Sequence, residues 1–137
     1  VEVEPPSRRA HVLVVDDEAA VAGIVKAVLA TDHEVTAVTD AREARRLIVA
    51  GNRYDVILCD LMMPFMSGMD LHAELSRADS GLAECMVFVT GGAFTPATRA
   101  FLEKVPNARI EKPFDFASLR RLVNDRLPRE PARQGVE

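Results

Sequence analysis

Five short apolar runs punctuate the chain: His11-Val12-Leu13-Val14-Val15, Val35-Thr36-Ala37-Val38, Val56-Ile57-Leu58-Cys59, Met86-Val87-Phe88-Val89 and Ala108-Arg109-Ile110. Each has the length of a buried strand, and most are rich in β-branched residues. Between them apolar residues recur at helical spacing, as in Val21, Ile24, Val25, Val28 and Leu29, in Leu71 and Leu75, and in Phe116, Leu119, Leu122, Val123 and Leu127. Leu47 with Ile48 and Phe101 with Leu102 supply the apolar sides of two further helices. Asp40 with Glu43, Ser67 with Asp70, Thr95-Pro96 and Asp115 stand where helices are expected to start. Gly51-Asn52 and Pro128 stand where they are expected to stop, and the third helix is expected to run out near Ser80-Gly81. Five strands alternating with five helices imply right-handed βαβ crossovers and a parallel sheet covered on both faces, an α/β fold.

At 137 residues the chain has room for one domain with a proper core. With one Tyr and no Trp that core must be aliphatic. Residues 1–9 read as a linker or disordered arm, 10–127 as the domain and 128–137 as a disordered tail. No apolar run reaches the ~20 residues that span a bilayer, and Val1 to Ala10 lack the pattern of a secretory signal. The Val start is expected of a segment of a longer chain. If the third and fourth strands run parallel and side by side, Cys59 ends one and Cys85 begins the other, roughly 13 Å apart at ~3.3 Å per residue, too far for a bridge. Reduced thiols and a cytoplasmic location are expected. Residues 10–97 carry a balance of −7 and residues 98–127 one of +3. The acidic excess argues against non-specific nucleic-acid binding, and no membrane contact is expected of this segment.

The polar residues at the strand exits carry the chemistry: Asp16, Asp17 and Glu18 after the first strand, Asp60 after the third, Thr90 after the fourth, Lys112 after the fifth. In open α/β sheets, ligands bind outside the carboxyl ends of the strands. If the first, third and fourth strands are neighbours, these carboxylates converge. Packed carboxylates repel one another and need a cation to stay ionised. An all-oxygen set without His or Cys suits Mg²⁺. An Asp oxygen can attack phosphorus and hold it as an acyl phosphate. The protein's remaining task is to place cations and donors around the phosphoryl oxygens, here Lys112 and the Thr90 hydroxyl. Taken singly, Asp16-Asp17 reads as a helix cap, Thr90 as a strand end and Lys112 as a solvated side chain; together and in this order they point to phosphoryl transfer.

The motifs VLVVDDE at 12–18, DVILCDLMMPFMSG at 55–68, VFVTGG at 87–92 and EKPF at 111–114 resemble the receiver domain of two-component response regulators over residues 11–127. The resemblance implies a flavodoxin-like (βα)5 three-layer sandwich with its parallel five-stranded sheet in the order 2-1-3-4-5. It implies that Asp60 is the phosphoacceptor, with Thr90 as the switch hydroxyl and Lys112 as the phosphate-binding lysine. Asp17, Asp60 and the Met62 backbone carbonyl would bind Mg²⁺ directly, and Asp16 partly through water. A cis bond between Lys112 and Pro113 is implied as well. The expected partner is a histidine kinase phosphodonor domain, and the expected output surface is the face made by the fourth helix, fifth strand and fifth helix, which would also serve a homodimer. The segment 90–96, the Val start and the Pro-rich arm resemble receivers appended to hybrid sensor kinases.

Two positions depart from the family pattern. Arg109 stands where a Tyr or Phe usually swings inward, and Met62, two residues after Asp60, is long and apolar where the family's residue lies over the phosphoryl group. Slow self-hydrolysis of the acyl phosphate is expected from Met62. Two other classes compete with a phosphoacceptor switch. A phosphatase with an Asp nucleophile resembles a pattern with a second Asp at the place of Met62, as general acid. A degenerate receiver acting by protein contact alone would lack some of the acids, and none is lacking. A flavin-binding reading fails for want of a phosphate-cradling Gly-rich turn after the first strand.

Overall fold

The computed structural model describes residues 3, 6, 8–91 and 95–127. Among them, β1 (His11–Val15), β2 (Glu34–Val38), β3 (Val56–Asp60), β4 (Met86–Thr90) and β5 (Arg109–Glu111) are the five expected strands. They form one parallel sheet in the order β2-β1-β3-β4-β5. Alternate strand residues face opposite layers. Leu13, Val15, Ile57, Cys59, Met86 and Phe88 pack on one side against α2 (Ala41–Val49), α3 (Gly68–Ala78) and α5 (Pro96–Lys104). Val12, Val14, Val56, Leu58, Val87 and Val89 pack on the other against α1 (Ala19–Leu29) and α6 (Phe116–Arg126). Of the three interior strands, β3 and β4 are buried along their whole length and β1 everywhere but at His11, while the edge strands β2 and β5 are partly exposed. Burying both faces explains why their sequences are continuous apolar runs rather than alternating ones.

The caps stand where the sequence places them. Asp40 accepts the Arg42 N–H, Thr95 the Thr98 N–H and Asp115 the Ser118 N–H, while Ser67 and Asp70 form a reciprocal capping box. The third helix, expected to run to residue 80, departs from that reading. At Asp79 the backbone turns extended (φ −162°, ψ 92°) and the side chain accepts the Leu82 N–H, so one residue ends α3 and caps a separate short helix, α4 (Ser80–Glu84). A short Asp side chain competes with the helix for backbone donors, and here it wins. The expected fourth and fifth helices are therefore α5 and α6. Of the arm expected over 1–9, Arg8 already reaches the domain through a 3.1 Å ion pair with Asp55. The tail at 128–137, with Pro128, and residues 92–94 lie outside the described residues. Both cysteines are free. No helix among the described residues is long and apolar enough to cross a membrane.

Candidate functional site

Strand register assembles the site. Val15 pairs with Cys59, so the next residues, Asp16 and Asp60, leave the sheet side by side at the switch point between β1 and β3. Asp60 pairs with Val89, which puts Thr90 one step further along the adjoining strand. Thr90 pairs with Glu111, and its carbonyl accepts the Lys112 N–H at 2.7 Å. The Lys112–Pro113 bond is cis, as the sequence motif implies. Asp16 is not a helix cap. Its Oδ1 accepts the Glu18 N–H at 2.9 Å, and α1 begins without a side-chain cap at all. That turn holds its carboxylate over the end of β3.

Asp16, Asp17 and Asp60 each offer an oxygen within 4.8 Å of the others. Asp16 and Asp60 are buried and Asp17 is exposed. Lys112 Nζ lies 3.1 Å from Asp16 Oδ2, 3.4 Å from Asp60 Oδ2 and 3.5 Å from Glu18 Oε1. Burial, followed by the charge of Asp16, raises the Asp60 pKa above the ordinary carboxylate value; Lys112 and the Met62 N–H oppose the rise without cancelling it. Burial alone would lower the Lys112 pKa, but its hydrogen bond to Asp16 and the charges of Asp60, Asp16 and Glu18 raise it. These contacts favour the charged form of Lys112, while the Asp60 carboxylate is not fully compensated. The donor set is oxygen only, and the nearest thiol, Cys59, is fully buried with its pKa pushed up by that burial. A hard divalent cation such as Mg²⁺ fits this set; a soft or imidazole-seeking one does not.

Asp17, Glu18, Asp60, Met62, Gly91 and Lys112 line an open cavity of about 280 Å³. Met62 donates its N–H to Asp60 Oδ1 at 3.2 Å. The pocket thus holds a buried carboxylate with an accessible face, an ammonium and a cluster of metal-ligating oxygens, which is a set for receiving a phosphoryl group. Of the residues expected at the site, Asp16, Asp17, Asp60, Met62 and Lys112 come together; Thr90 is buried at the end of β4 and joins them through its backbone bond to Lys112.

Sequence reasoning missed Gly68 and Thr98. A Cβ at Gly68 would lie 2.6 Å from the Asp60 carbonyl oxygen, so the first residue of α3 must be glycine for the helix to seat against the end of β3. A Gly directly after a cap serine was the available signal. Thr98 in α5 donates its hydroxyl to Met62 Sδ at 3.5 Å, a contact that no spacing rule reveals.

The family described as response regulator receiver domain matches residues 12–124. A DNA-binding response regulator, MtrA of Mycolicibacterium paratuberculosis, is 36% identical over 127 residues, covering 90% of this chain and 55% of that protein. The chain thus spans about half the length of this curated relative. Among solved structures, the receiver domain of a Francisella response regulator aligns with a TM-score of 0.73 and 28% identity, over 86% of this chain and 96% of that one. The receiver domain of a signal transduction histidine kinase from Syntrophus aciditrophicus aligns with a TM-score of 0.75 and 26% identity, over 86% and 89%.

Proposed function

This chain belongs to the response regulator receiver domain family, and on that premise we propose that Asp60 accepts a phosphoryl group from a histidine kinase phosphodonor domain. The observation that carries the reading is the convergence of Asp16, Asp17, Asp60 and Lys112 at one rim of the sheet. An Asp60 oxygen attacks phosphorus in line with the donor nitrogen; the new O–P bond forms as the P–N bond breaks, and the electron pair leaves with the imidazole. Lys112 Nζ, 3.4 Å from Asp60 Oδ2, is positioned to hold one of the phosphoryl oxygens. Thr90 is the hydroxyl that would answer the new group. Asp16, Asp17, Asp60 and the Met62 carbonyl would hold Mg²⁺, which when bound neutralises charge on the phosphoryl oxygens.

The chain acts as a switch and not as a turnover enzyme, because Met62 occupies the place where a phosphatase would carry its general acid. The acyl phosphate then changes the face formed by α5, β5 and α6, the surface for an output partner or a second copy. The acidic balance of residues 10–97 supports a segment that does not itself touch nucleic acid, and the two free cysteines support a cytoplasmic protein. An apolar groove of about 500 Å³ next to Lys112, lined by Val21, Ile24, Val25, Pro113 and Phe114, supports delivery of phosphate by a protein donor. The test is intact mass after incubation with Mg²⁺ and a small acyl phosphate. One added phosphoryl group is expected on the natural chain and none on Asp60→Asn or after chelation. An adduct that survives either treatment overturns the assignment.

A further inference from the structure

Acceptor and output face are linked through α5 by two side-chain contacts, one at each end of the helix. At its C-terminal end, the Leu102 carbonyl lies in the last turn, where helical donors run out, and the residue four positions on, Pro106, has no N–H to offer. Arg109 supplies the missing donor, with Nη2 2.9 Å from the Leu102 oxygen. The guanidinium of β5 therefore fixes the last turn of the helix in place, and cannot swing inward as an aromatic side chain would without orphaning that carbonyl.

The first turn is held differently. Thr98 is 1% exposed, and Met62 Sδ accepts its hydroxyl at 3.5 Å. The hydroxyls of Thr95 and Thr98 are 2.8 Å apart, and Thr95 Oγ1 also accepts the Thr98 N–H at 3.1 Å. With the Thr98 proton committed to sulfur, the Thr95 hydroxyl donates to Thr98, so the N-cap and the thioether form one chain of bonds. Met62 closes that chain on the acceptor itself, since its N–H donates to Asp60 Oδ1 at 3.2 Å.

We propose that Met62 is the relay between Asp60 and α5: one residue grips the acceptor carboxylate with its amide and the first helical turn with its side chain. The inference rests on Asp60 being the phosphoacceptor. Phosphorylation turns an ionised carboxylate into a neutral acyl oxygen, and a hydrogen bond from Met62 that was charge-assisted becomes an ordinary, weaker one. With that grip weakened, the Met62 side chain withdraws from Thr98, while its carbonyl would stay with Mg²⁺. The Arg109 tie keeps the last turn of α5 still, so the response is confined to the start of the helix. Met62 thus acts as a positioning residue, in the role that the missing aromatic would have filled from β5.

The experiment is amide hydrogen exchange, residue by residue, on the full chain with Mg²⁺ and a small acyl phosphate, with intact mass reporting the adduct. In the natural chain, exchange at Thr98 and Arg99 is expected to rise at least ~3-fold on phosphorylation, while the last turn of α5 keeps its protection. Met62→Leu keeps the bulk and the backbone but removes the sulfur acceptor; its exchange at these amides starts high and changes little when the adduct forms. Thr98→Val, which leaves the acceptor loop intact, carries the same test and decides it if Met62→Leu takes no adduct. Adducted variants that respond as the natural chain does, or an adducted natural chain without response, overturn the relay alone. If no adduct forms on the natural chain, the acceptor reading fails and the relay falls with it.

Discussion

Asp60 is an expensive residue to bury. Its carboxylate sits beside Asp16 with a raised pKa, so at neutral pH the resting fold carries a charge that the unfolded chain would solvate more cheaply. Asp60→Asn is therefore expected to stabilise the metal-free protein, raising its melting midpoint by about 2–5 °C, whereas a fall would mean that the Lys112 pair outweighs the repulsion. Asp55 is the opposite case. Burial would push its pKa up, but the His11 N–H at 2.9 Å and the Arg8 guanidinium at 3.1 Å outweigh it and hold the group low. A lowered carboxylate pKa contributes stability above the unfolded value, lost as pH falls through the folded one. Asp55→Asn should cost about 0.5–1 kcal/mol at pH 7 after solvent screening, with the difference from the natural chain shrinking as pH falls through and below the ordinary carboxylate range in urea melts. Met62 bears on lifetime. Half exposed, it lines the pocket beside Asp60 with an apolar side chain that offers an attacking water no hydrogen-bonding help. Met62→Asn should shorten the half-life of the acyl phosphate several-fold, and an unchanged decay rate would remove Met62 from that role.

At the scale of elements, the acceptor strand and the helix after it are fitted to one another. Gly68 opens α3 against the backbone of Asp60 and Leu61, where a methyl group would sit 2.6 and 3.1 Å from main-chain atoms that cannot rotate away. Gly68→Ala should cost ~1–3 kcal/mol in denaturant unfolding and slow phosphorylation by displacing β3, while full stability would show that α3 can slide. Much of this was legible in the sequence, because apolar runs and cap residues are local signals. The Ser67–Asp70 capping box and the Thr95-Pro96 start stand as read. The break at Asp79 was not legible, since an Asp inside a helical stretch ends it only when tertiary packing lets its side chain take a backbone donor. Phe65 is another such place: it adopts φ +68° with its ring under the Arg42 guanidinium, 4.3 Å from the ring centroid, a pairing between α2 and the acceptor loop that sequence spacing does not encode.

For the whole molecule, the strand order is what turns separate motifs into a site. Asp16-Asp17, Asp60 and Lys112 are distant in sequence, and the register of β1, β3, β4 and β5 delivers them to a common rim. The residue types at the strand exits could be read directly; the order of the strands came only through the family resemblance, because periodicity does not report which strands are neighbours. The proposed docking of a protein donor in the groove beside Lys112 belongs to the same scale. Ile24 is 51% exposed there. Ile24→Asp should slow transfer from a phosphorylated histidine kinase domain at least ~10-fold and leave phosphorylation by a small acyl phosphate unchanged; equal loss with both donors would place the defect in the pocket. The central claim, that this rim delivers phosphate to one carboxylate, is tested most directly by borohydride reduction of the phosphorylated chain followed by peptide mass mapping. Reduction of an acyl phosphate leaves an alcohol, so homoserine is expected at position 60 and nowhere else. A modified residue at any other position, or an unreduced Asp60 in protein that carries the phosphoryl group, would contradict the account.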